Sequence, residues 1–155
     1  MDIRGTLRLA LERDTDGTGE LFVEASSAGF AGRSSAWFGI AAIADFAVAL
    51  DAFPIPRDHP PRLAGGFWAR DSREPALEQE HVFLEVRPVG RRGTVLIDVR
   101  LATPFWATSG DEAQRRVSLA FLADYATLQR FARAVAAVAS GAADEAVLES
   151  DVVSA

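Results

Sequence analysis

The chain of 155 residues contains no cysteine, no lysine and no asparagine, and only two histidines. Without cysteine there can be no disulfide, no zinc–thiolate or iron–sulfur site and no thiol nucleophile. Without lysine there is no Schiff-base amine and no lysine general base. All 16 cationic side chains are therefore arginine, and with the heavy use of alanine this fits a GC-rich bacterial genome. No apolar run approaches the ~20 residues of a membrane-spanning helix. The nearest, Ile40 to Leu50, is too short and carries Asp45. Met1-Asp2-Ile3-Arg4 opens the chain without an apolar signal core, so the sequence predicts a cytoplasmic protein with no membrane partner.

Recognisable chemical motifs are missing too. There is no P-loop, no G-x-G-x-x-G, no nucleophile elbow and no H-E-x-x-H. Asp14-Thr15-Asp16-Gly17 begins like a calcium loop, with Gly19 in the sixth position, but Ala25 stands where the twelfth must be glutamate. It reads as a hairpin turn. No cofactor and no metal are expected. A net charge of -6 and a pI near 4.9 argue against nucleic acid and suit a basic partner.

What is present is ordinary globular material, 49% hydrophobic and 25% charged. A chain of this size buries roughly 70% of its unfolded surface and needs no staple. Its most apolar stretch, Trp37 to Pro54, has Ile43, Phe46, Leu50 and Phe53 at helical spacing, interrupted only by Asp45 and Asp51. It predicts a central helix, capped by Ser34 or Ser35 and ended by Pro54. Ile3 to Glu12 and Leu21 to Ala25 alternate as a strand pair, and Gly29 and Gly32 suggest a bent continuation. Leu63 to Ala69 is a short strand. Val82-Leu84-Val86 and Val95-Ile97-Val99-Leu101 predict a second hairpin turned at Pro88 to Gly93 with Arg87 opposite Thr94. That register sets His81, Phe83 and Glu85 against Arg100, Asp98 and Leu96 on the outer face. Val117 to Phe121 gives a last strand, followed by a helix capped by Asp124, buried along Leu128, Phe131, Val135 and Val138, and stopped by Gly141.

The expected fold is therefore α+β: one antiparallel sheet of about six strands, in the order ββ-α-ββββ-α, with two helices packed on one face. Residues 1–141 form a single domain and 142–155 an acidic C-terminal tail. Ala44-Asp45-Phe46-Ala47 and Ala123-Asp124-Tyr125-Ala126 are alike, and coincidence is the plainer account of four residues.

Each tryptophan stands beside a phenylalanine: Trp37-Phe38, Phe67-Trp68 and Phe105-Trp106. On a strand one ring of such a pair must leave the core face, so these rings either plug the ends of the sheet or serve as anchors. His81, Glu85, Asp98 and Arg100 are expected on one face, where a solvated set of ion pairs is the plainer reading than a general base. Asp45 on an apolar helix needs a partner or water. The candidate ligand- or partner-binding residues are thus Trp37, Trp68, Trp106, Phe83, His81, Arg100 and Asp45, and no catalytic residue is assigned.

The order of elements resembles a set of small bacterial single-domain proteins, some of them immunity proteins against polymorphic toxins. The likeness is carried by the hairpin, by Gly29-Phe30 leading to Trp37, by the F-x3-L helix with Phe46 and Leu50, and by the meander closed by Leu128 and Phe131. It implies a non-enzymatic protein that covers a partner with acidic groups. Two classes of function follow: a protein-binding domain, for a heterologous partner or for self as a homodimer, and a small-ligand binder or enzyme with an aromatic pocket between sheet and central helix.

Overall fold

A computed structural model describes residues 4–69, 76–105 and 113–151. Antiparallel β structure and two helices make the chain α+β, but the described residues hold eight strands in two four-stranded sheets rather than about six in one. In chain order these are β1 (Gly5–Arg13), β2 (Thr18–Ser27), β3 (Phe30–Gly39), α1 (Ile40–Leu50), β4 (Arg62–Trp68), β5 (Leu77–Val89), β6 (Thr94–Ala102), β7 (Arg116–Asp124), α2 (Tyr125–Ser140) and β8 (Glu145–Ser150). One sheet runs β3-β2-β1-β8 and the other β4-β5-β6-β7.

That order discloses a repeat. Each half of the chain is three meandering strands, a helix and a fourth strand, and each fourth strand joins the first strand of the other half. Counted from their first residues, the helices bury matching positions: Ile43, Phe46, Ala47 and Leu50 in α1, and Leu128, Phe131, Ala132 and Val135 in α2. The correspondence is therefore set differently from the tetrapeptide likeness visible in the sequence, which aligns Asp45 in α1 with the cap residue Asp124.

The sheets pack crosswise. Gly65, Val82, Leu101 and Val117 are successive cross-strand partners, forming one row across the second sheet. β3 lies along this row. A side chain at Gly32 would collide with Val117, Ser34 Oγ donates to Ala102 O at 2.5 Å, and a Cβ at Gly65 would sit 2.6 Å from the ring of Phe38 and 3.1 Å from Ala36. Running across strands in this way is orthogonal packing, and only small residues let two backbones approach so closely. The equivalent strand β7 meets every strand of the first sheet in turn. The wedge left open is filled by α1 and α2, which pack on each other. They do not share one face of a single sheet.

Several local expectations change for physical reasons. Residues 26–35 do not bend around a bulge. Ala28 and Gly29, both at positive φ, make a two-residue turn of the kind that matches strand twist, and β3 follows. Ser34 and Ser35 are thus strand residues and cap nothing. Gly39 occupies the N-cap of α1 without a side-chain bond, and the first helical amide, Ile40 N, donates instead to Gly17 O at 2.9 Å. α1 ends at Leu50. Phe53 is exposed against the edge of Tyr125, and Ile55 takes the buried place, its amide donating to Tyr125 Oη at 3.1 Å. α2 behaves as read: Asp124 accepts from Thr127 N at 2.7 Å, and Gly141 closes it at φ 85°.

The β5–β6 hairpin is paired two residues away from the expected register, with Phe83 opposite Arg100 and Glu85 opposite Asp98. The strand runs on through Pro88 to Val89. Val86 N donates toward β4, to Pro61 O, so the amide missing at Pro88 faces the same side beyond the end of β4. The proline therefore costs no ladder bond. A two-residue slip keeps every side chain on its face, so the inward set was unaffected. Finally, part of the segment expected as a tail is β8, with Ala146 and Leu148 buried and paired to Leu9 and Leu7 of β1.

Candidate functional site

The two sheets turn opposite kinds of surface to the solvent. On the second sheet, the outer side of β5 is buried: His81 is 3% exposed, Phe83 4% and Glu85 6%. Its own neighbours do this. Arg100, cross-strand from Phe83, lays its guanidinium 3.6 Å from the ring centroid, and Arg62 approaches the same ring at 5.4 Å. Long arginine stems cover apolar surface while their heads stay wet, and the ring face attracts the cation. Arg62 also holds Glu85 through Nε at 2.9 Å and Nη2 at 2.6 Å, and Arg87 bridges Glu85 at 3.1 Å and Asp98 at 3.5 Å. Burial pushes the Glu85 carboxyl up, but the hydrogen bonds and charges of Arg62 and Arg87 outweigh it and hold it below its ordinary 4.5.

His81 does not join this group. Its Nε2 donates to Gln79 Oε1 at 2.6 Å, while Gln79 also accepts from Phe105 N at 2.6 Å and donates to Phe105 O at 3.0 Å. Phe67 packs edge-on against the imidazole at 4.5 Å. Burial lowers the His81 pKa below 6.5, and the imidazole fixes Gln79, whose amide holds Phe105 against β5. The foreseen cluster of His81, Glu85, Asp98 and Arg100 thus does not converge. Glu85 and Asp98 share Arg87, Arg100 caps Phe83 and lies 3.8 Å from Glu80, and His81 turns away.

The outer face of the first sheet is open. Trp37 is 54% exposed and Phe22 40%, diagonal neighbours on β3 and β2, while Val147 of β8 lies apart on the same sheet face, across from Arg8. Strand alternation places them there: Leu21, Val23, Ala36 and Phe38 point in, so Phe22 and Trp37 point out. Phe22 lies between Ala10 and Ser35, whose side chains are too short to cover it. Where the 103–105 segment meets this face, Arg8, Phe22, Glu24, Ser35, Pro104 and Glu145 border a cleft of about 550 Å³. Trp37 stands in one row with Glu20 and Glu12.

The other expected site residues are scattered. Asp45 is exposed on the solvent side of α1, alongside Val48. Trp68 is half-exposed at the end of β4, and Trp106 lies outside the described residues. Trp37 points away from the space between sheet and central helix that an aromatic pocket would occupy. Among the described residues no three of His, Asp and Glu are grouped to hold a metal ion. Glu12 and Glu20 escaped the sequence reading because β3 was not recognised as their neighbour; the alternation of Arg33, Ser35 and Trp37 against Gly32, Ser34, Ala36 and Phe38 was the available signal.

Fold and site together define a two-sheet α+β domain with one self-sealed face and one open face. Comparison with models of known protein families returns no match, and neither does comparison with curated proteins.

Proposed function

We propose that this chain is a non-enzymatic protein-binding domain whose role is to neutralise a toxin by covering it. The observation that carries the reading is the open four-stranded face bearing Phe22, Trp37 and Val147, since exposed aromatic anchors amid polar groups are the composition of binding surfaces. Among the described residues of the opposite face, Glu85 is bound to Arg62 and Arg87 and His81 to Gln79, so these groups are engaged within the fold. Likeness of layout to immunity proteins supplies the particular role.

The test is co-expression with the product of the gene immediately upstream. If that product arrests growth, this chain restores it, and the double variant Phe22→Ala/Trp37→Ala does not. Failure of the native chain to rescue, with only self-association recovered from its native host, contradicts a heterologous partner.

A further inference from the structure

We infer that the open face takes a basic protein surface, with an arginine or lysine of the partner seated over Trp37 beside Glu12 and Glu20; this rests on the protein-binding reading above. Glu12 of β1 and Glu20 of β2 are directly opposed, and Trp37 of β3 completes their row. Like charges placed opposite one another across strands repel, so this row gains when a cation enters it. An exposed indole next to Glu20, with Glu12 one strand further on, supplies both halves of such a seat: a ring face for the cation and acceptors for its N–H groups.

The rest of the face fits the same occupant. Among the described residues, Glu12, Glu20, Glu24, Glu145 and Glu149 point outward against Arg8 and Arg33, with Arg4 at the rim beside Glu149. Arg8 is paired with Glu145 at 3.4 Å and Arg33 with Glu24 at 3.9 Å, so the surplus is negative. Glu20 accepts only a hydroxyl among the described residues, from Ser35 at 2.6 Å. A second copy applied face to face would set carboxylates against carboxylates, which argues against a symmetric homodimer here. The sealed face offers no free basic complement: Arg62, Arg87, Arg100 and Arg116 are matched there by Glu80, Glu85, Asp98 and Asp124, and the first three are held by Glu85, Asp98, Glu80 and Phe83. A foreign basic surface is the remaining complement.

The experiment measures binding of a fluorescently labelled hexa-arginine peptide to the full chain at low ionic strength. Glu12→Gln/Glu20→Gln and Trp37→Ala should each weaken it about tenfold, while Asp51→Asn/Asp58→Asn, with the same change in net charge as the glutamate pair, leaves it within about twofold. Equal weakening by both double variants, or no binding by the native chain, overturns the inference. So does concentration-dependent self-association in sedimentation that the Glu12→Gln/Glu20→Gln variant abolishes. Rescue from the toxin that survives all these substitutions removes the seat while leaving the protein-binding reading intact; absence of any rescue by the native chain removes that reading itself.

Discussion

Phe83 and Phe22 both project from strands on the side turned away from the core, yet one is sealed and the other is half in water. The difference lies in their cross-strand partners. Phe83 is flanked by Ala64 and Arg100, and the small residue leaves room for Arg62 and Arg100 to close over the ring. Phe22 is flanked by Ala10 and Ser35, while the nearest arginines on that face, Arg8 and Arg33, are committed to Glu145 and Glu24. The two sheets thus reach opposite ends through the residues set across the strands from each ring. On one face arginine completes the fold, and on the other aromatic surface is kept available.

If the faces differ in this way, substitutions on the sealed one should cost stability and those on the open one should cost binding. The largest effect is expected for Phe83→Ala, about 3–5 kcal/mol in chemical denaturation, against less than about 1 kcal/mol for Phe22→Ala. Comparable losses at the two positions would erase the distinction. Next comes Glu85→Gln, which deprives Arg62 and Arg87 of their shared anion and should cost about 1–3 kcal/mol at pH 7.

The same carboxylate gives a pH signature. Because its pKa is lowered on folding, its contribution is present above 4.5 and is lost as pH falls through the lower folded value. His81 acts in the same direction in a higher window: its folded pKa is depressed, so stability falls as pH drops below 6.5. Melting temperature followed against pH should therefore decline in two stages, and Glu85→Gln should shrink the lower one, leaving the part that Asp124 and Asp16 supply through the amides and hydroxyls that hold their carboxylates. A lower stage unchanged in the variant would show that other carboxylates govern acid unfolding. The smallest effect has the opposite sign. Glu12→Gln should raise stability by a few tenths of a kcal/mol, because it relieves the opposed pair with Glu20; a loss would mean that the row is held by contacts outside this account.

The inward faces of β1, β2, β5, β6 and β7 were legible because Leu, Val and Ile alternate there, and the caps of α2 because Asp124 and Gly141 sit where a helix needs them. β3 was hidden by its own packing: crossing the second sheet at close range, it carries Gly32, Ser34 and Ala36 inward, and small residues show no hydrophobic period. β8 was hidden by Glu145 and Glu149, which belong to the solvent face of an edge strand. Of the candidate site, the separation of Trp37 from Phe38 followed from alternation. The sealing of Phe83 did not, since it depends on a register that Pro88 disguised. The sealed and open faces could therefore be told apart only once partners across the strands were known.

Which face would take the proposed basic partner is directly observable by two-dimensional NMR as the hexa-arginine peptide is added to labelled chain. The indole N–H resonance of Trp37, identified by its loss in Trp37→Ala, should move together with the amides of Glu12 and Glu20, while those of Phe83 and Arg100 stay in place. Movement centred on Phe83 and Arg100, or spread evenly over both sheets, would contradict the proposal.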